Sequence, residues 1–85
     1  MPTVEKILEE MRRNPRNVRF NDLLKVAECF FGEPRVHGSH YRFIAKGISD
    51  PRINIQNDHG KAKPYQVRQV LAAIDELEKR EGHDA

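Results

Sequence analysis

Cysteine, glycine-rich loops and long apolar runs are scarce in this 85-residue sequence, and each shortage removes a class of function. The single cysteine, Cys29, allows no internal disulfide and no multi-cysteine zinc site, which fits a reducing compartment. The longest apolar run, Val70-Leu71-Ala72-Ala73-Ile74, falls far short of the roughly 20 residues a membrane helix needs, so no membrane span is expected. The stretch Met1-Pro2-Thr3-Val4-Glu5-Lys6 lacks the charged-then-apolar layout of a signal peptide, and Glu9 and Glu10 stand where apolar residues would be needed. A cytoplasmic location is the expectation. No glycine-rich loop follows a strand pattern, and no histidine or carboxylate pair has metal-ligand spacing. Neither a small-molecule cofactor nor a metal is therefore expected. Hydrophobic residues at 38% and charged residues at 33% suit one compact domain over 1–85, with little apolar material left for a large buried pocket.

The charge that is present is unevenly placed. Residues 1–34 balance six basic against six acidic side chains. Residues 35–70 carry Arg35, Arg42, Lys46, Arg52, Lys61, Lys63 and Arg68 against only Asp50 and Asp58. His37, His40 and His59 fall in the same stretch, and residues 71–85 are net acidic. A basic middle of this kind points to a polyanion, and nucleic acid fits better than an anionic membrane because no basic amphipathic helix accompanies it. On charge alone, an ordinary solvated surface is the simpler account.

Periodicity divides the chain into three helices and three strands. Val4, Ile7, Leu8 and Met11 share one helical stripe, Thr3 can cap it, and Asn14-Pro15 should end it, giving a helix over 3–13. A basic connector, 15–19, follows. Leu23, Leu24, Ala27, Phe30 and Phe31 predict a second helix over about 21–31, with Asn21 as N-cap and Gly32 closing it through a left-handed conformation. Cys29 sits beside this stripe and is expected to be a small packed thiol. Met11 and the Phe30-Phe31 pair are expected in the core.

Arg35-Val36-His37, Gly38-Ser39 and His40 to Ala45 predict a hairpin, and Arg52 to Gln56 a third strand joined through Gly47 to Pro51. Period two puts Tyr41, Phe43 and Ala45 on one face and His40, Arg42 and Lys46 on the other, with Ile44 the apolar exception. Asn54 and Gln56 alternate likewise against Ile53 and Ile55. After the loop 57–63, Pro64 opens a last helix of about 64–80 carrying Val67, Val70, Leu71, Ile74 and Leu77, and 81–85 should fray. The expected class is α+β, in the order α-α-β-β-β-α, with helices on the apolar side of a three-stranded antiparallel sheet and a cationic side left open.

Two elements in this order carry chemistry. Gly38-Ser39-His40 stands at a strand entrance between Arg35 and Arg42, and Gly60-Lys61-Ala62-Lys63 precedes a helix N-terminus. Imidazole gives or takes a proton near neutral pH, and RNA brings its own nucleophile in the 2′-hydroxyl. Cations that stabilise charge on phosphorus would complete a metal-free cleavage site, and a helix N-terminus can hold a phosphate oxygen. The plainer account makes His40 a surface residue, Gly38-Ser39 a turn, and Lys61 and Lys63 part of a solvated loop. His37 and His59 are weaker candidates, and His83 carries no weight.

The run Phe20-Asn21-Asp22-Leu23-Leu24-Lys25-Val26, then Phe31-Gly32-Glu33-Pro34-Arg35, Gly38-Ser39-His40-Tyr41, Ile53-Asn54-Ile55-Gln56 and Gly60 to Leu71 resembles the HicA family. These are small mRNA interferases of toxin–antitoxin pairs, and the similarity covers about 20–75. The resemblance implies a fold like the double-stranded-RNA-binding domain, α-β-β-β-α, with 1–19 as an N-terminal helical addition to a core of 20–80. It implies metal-independent cleavage of mRNA dependent on His40, with Gly38 and Ser39 shaping its turn, and a HicB-type antitoxin as protein partner. Under that reading Lys61 and Lys63 bind phosphate, while Arg35 and Arg42 hold the RNA strand or the transition-state charge. The sequence departs from the family pattern at Tyr41, where many relatives have a second histidine, and in the spacing of the loop before Lys61. A non-catalytic RNA-binding module and a protein-interaction domain are the rival functions.

Overall fold

The computed structural model describes residues 3–48 and 51–83, with side chains through Lys79, so part of the connector between the last two strands and the end of the acidic tail lie outside the described residues. Along the chain come α1 (Val4–Arg13), α2 (Phe20–Phe31), β1 (Arg35–His37), β2 (His40–Ile44), β3 (Arg52–Gln56) and α3 (Pro64–His83). The strands form an open antiparallel sheet in the order β1-β2-β3. The protein is α+β, as the periodicity predicts. α3 continues to His83 where the sequence pattern suggested an end near 80.

Each helix start has a local reason. Thr3 caps α1 through its hydroxyl, which accepts the Lys6 N–H at 3.2 Å, and Asn14 ends it. Asn21 is not the cap of α2. That helix begins one residue earlier, at Phe20, and Arg19 occupies the cap position with no side-chain bond. Packing overrides the cap preference here: the Phe20 ring is buried, and its N–H donates to the Gly60 carbonyl at 3.0 Å. At the other end Gly32 closes the helix at φ 88 and ψ −158, a positive-φ conformation open to glycine but not the left-handed helical one expected, and its N–H reaches Glu28 O at 3.0 Å.

One core joins all layers. Ile7 and Met11 of α1, Leu23, Val26 and Ala27 of α2, Phe43 of β2, Ile53 and Ile55 of β3, and Val67, Val70 and Ile74 of α3 are buried together. Phe30 and Phe31 pack partly buried against this cluster. The first helix is thus built into the same core rather than appended to it. Cys29 is exposed, contrary to the packed thiol expected. At 100° per residue it lies about 130° around the helix from the mean direction of Phe20, Leu23, Val26 and Ala27, so it faces solvent. No helix among the described residues is long and apolar enough to cross a membrane.

A two-pronged ion pair fastens α1 to α3. The Arg12 guanidinium donates to both Asp75 carboxylate oxygens, at 2.6 and 3.2 Å. That hydrogen bond holds the Asp75 carboxyl below the usual carboxylate range, against the smaller opposing effect of burial. A carboxyl lowered by folding stabilises the protein above its unfolded pKa and loses that contribution as pH falls through the folded value. Both side chains are about half exposed, so the pair is worth at most about 1 kcal/mol. Asp75→Asn is expected to lower the urea midpoint slightly at pH 7, and the difference from wild type should begin to shrink below about pH 4 and vanish only once the pH is under the lowered folded value. A gap that persisted in acid would mean the pair is not its cause.

Candidate functional site

Strand alternation builds the site. Phe43 of β2, Ala45 just after it, and Ile53 and Ile55 of β3 are buried beneath α2 and α3, so the intervening residues point to the uncovered side. The register lines these up in rows across the sheet. His37 stands opposite His40, which stands opposite Gln56; Arg35 stands opposite Arg42, which stands opposite Asn54; Ile44 stands opposite Arg52. His37, His40, Arg35, Arg42, Arg52 and Asn54 are all exposed, and Ile44 is 58% exposed among them. None of the paired strand positions of this face is a carboxylate, although Glu33 lines the cleft it shares with Arg35, Arg42, Ile44, Arg52 and Asn54, and none of the three arginines has an ion pair among the described residues. Like charges set directly opposite on paired strands work against folding by about 0.2–1 kcal/mol, so the Arg35–Arg42 row is a cost that an anion would relieve.

A tight turn fixes the histidine row. Gly38 has φ 62 while Ser39 stays at negative φ, the sign pattern of a type II′ turn with glycine in its first central position. That turn matches the twist of the flanking strands and holds residues 37 and 40 in register. Ser39 O accepts the Asn57 N–H at 3.0 Å, so the hairpin end leans on the loop after β3.

That loop is a second tight turn. Asp58 and Lys61 exchange both backbone hydrogen bonds at 3.0 Å around His59 and Gly60, whose φ values of 52 and 84 are those of a type I′ turn. The Asn57 side chain accepts the Gly60 N–H at 2.7 Å, and Ala62 N–H donates to Val18 O at 2.9 Å, so the loop is tied to the entry of α2. Between the two turns lies a shallow cleft lined by Gly38, Ser39, Tyr41, Asn57, His59 and Gly60.

The structure therefore gathers His40, Arg35 and Arg42 on one open face, with Gly38 and Ser39 as the turn that presents them. Lys61 and Lys63 sit apart, on the loop and at the start of α3, where the Lys63 carbonyl accepts the first helical N–H groups at 2.9 and 3.0 Å. Lys61 is exposed and Lys63 half-buried, and no hydrogen bond or ion pair among the described residues joins either to His40. His59 is exposed with its Nε2 3.9 Å from the Asp58 carboxylate. Tyr41 is on the covered side, its ring 4.9 Å from that of Phe20. One residue of the open face, Arg52, escaped the sequence reading, although it follows from the same alternation that placed Asn54 and Gln56. His37, a weaker candidate in the sequence, gains weight from its partner across the hairpin.

Among the described residues no group of three histidine, cysteine, aspartate or glutamate side chains gathers to hold a metal ion. No known family, curated protein or solved structure matches the chain. What the arrangement offers chemically is a cationic ledge for a polyanion and accessible imidazole for proton transfer.

Proposed function

We propose that the protein is a metal-independent endoribonuclease that cuts mRNA through His40, acting as the toxin of a toxin–antitoxin pair like the HicA proteins it resembles. The observation that carries this reading is an exposed imidazole on the open sheet face, one row from the opposed pair Arg35 and Arg42. Arginine forks bind phosphate oxygens and stabilise the charge that accumulates as phosphorus is attacked. In this proposal Lys61 and Lys63 guide the flanking phosphates past the hairpin end, and Gly38 and Ser39 hold the turn. The partner is a HicB-type antitoxin that covers the same face, and no cofactor takes part. The order of elements after α1 is that of a double-stranded-RNA-binding fold, and we assign the protein to that type.

The test is incubation of purified protein with a labelled mRNA transcript in EDTA. Discrete fragments are expected. Intact RNA bound tightly and salt-sensitively would replace the nuclease with a non-catalytic binding module, and RNA left unbound at physiological salt would remove nucleic acid from the function altogether. Each phosphate neutralised on single-stranded RNA adds about 0.7 to the slope of log affinity against log salt. Arg52→Ala should flatten that slope by about this amount, provided its guanidinium lies along the RNA path.

A further inference from the structure

We infer that His37 is the second proton-transfer group of this site, acting with His40 as an acid–base pair; the inference rests on the ribonuclease reading above. The two imidazoles face each other across adjacent antiparallel strands at the closed end of the hairpin. Directly opposed residues have Cβ atoms only about 4.5–5.5 Å apart, so both rings can reach the substituents of one phosphorus atom. Both are exposed, and the type II′ turn at Gly38 leaves them no freedom of register.

Cleavage of RNA through its 2′-hydroxyl needs two proton movements at once. The 2′-oxygen bonds to phosphorus as its proton passes to one neutral imidazole, and the bond from phosphorus to the 5′-oxygen breaks as the other, protonated imidazole gives that oxygen a proton. The products are a 2′,3′-cyclic phosphate and a 5′-hydroxyl, and the two histidines end with their proton states exchanged. No oxidant, metal or external nucleophile enters the balance. A single histidine would have to perform both transfers or leave one to water.

Arg35 and Arg42 occupy the next row of the same face, and the adjoining loop contributes Asp58, His59 and Lys61. Tyr41 and His59 line the neighbouring cleft, Tyr41 with its ring against Phe20 and His59 with its Nε2 3.9 Å from the Asp58 carboxylate, and neither is paired with His40 across the strands.

The experiment compares wild type, His37→Gln and His40→Gln on two substrates: RNA, and nucleoside 3′-(4-nitrophenyl phosphate) diesters, whose phenolate departs without a proton. On RNA both variants are expected to lose on the order of 10²-fold or more. On the nitrophenyl diesters one of the two should recover to near the wild-type rate, because the group it lacks is the acid, while the other stays slow. If His37→Gln cuts RNA at the wild-type rate while His40→Gln is dead, the inference falls and the nuclease reading stands. Equal losses of both variants on both substrates would also overturn the pair. If wild type itself leaves RNA intact, it is the underlying reading that has failed.

Discussion

His40→Ala is expected to cleave RNA about 10²–10⁴ times more slowly than wild type, the range by which a positioned acid–base group accelerates proton transfer. The loss should fall on the chemical step. Arg35, Arg42 and Arg52 remain on the open face, so RNA affinity and its salt dependence should change little while turnover collapses. The substitution removes an exposed ring that makes no hydrogen bond or ion pair among the described residues, and such surface changes stay within about 0.5 kcal/mol. A matching melting curve therefore separates loss of chemistry from loss of fold. A folded His40→Ala protein cutting as fast as wild type would end the proposal. Activity that disappeared in EDTA from the wild type would end its metal-independent form.

How far the sequence reaches can be judged from two strands and a loop. Period two was enough to sort β2 and β3 into a buried and an open face, because Phe43, Ala45, Ile53 and Ile55 leave no other way to bury apolar area. The hairpin turn was equally legible, since Gly38 supplies the positive φ that a two-residue connection demands. Pairing partners were harder. That His37 faces His40 depends on the turn occupying only residues 38 and 39; one more residue in it would have set a different partner beside each histidine. The loop 57–63 was least legible. Its turn places His59 at φ 52, a conformation uncommon for any residue but glycine and therefore not expected from the sequence alone. Bonds from Phe20 and Ala62, which are remote from each other in sequence, hold it there. Lys61 and Lys63 fall on a second element before α3, as the sequence suggested.

Phe20→Ala should be the most damaging single change to the fold, with an expected cost of about 3–5 kcal/mol. The ring is 1% exposed and meets Tyr41 of β2 at 4.9 Å with planes inclined at 55°, while the backbone N–H of the same residue secures the loop through Gly60. Phe20 thus joins α2, the sheet and the second turn at one point. A domain of this length is stable by about 4–13 kcal/mol, so the substitution removes a large share of the total. Loss of 3 kcal/mol alone lowers the melting temperature of so small a domain by about 12 °C or more. Phe20→Leu, which keeps most of the volume, should cost about 1.5 kcal/mol or less. The damage should also be directional. With the ring gone, the Lys61 and Ala62 amides lose the anchor that protects them, and their hydrogen exchange should accelerate more than that of the β2 and β3 amides, which are paired with each other. Because Ser39 O accepts the Asn57 N–H, loosening of the second turn reaches the hairpin that sets His37 against His40. A Phe20→Ala protein that melted within a few degrees of wild type would mean that the loop and hairpin are positioned by something other than this ring.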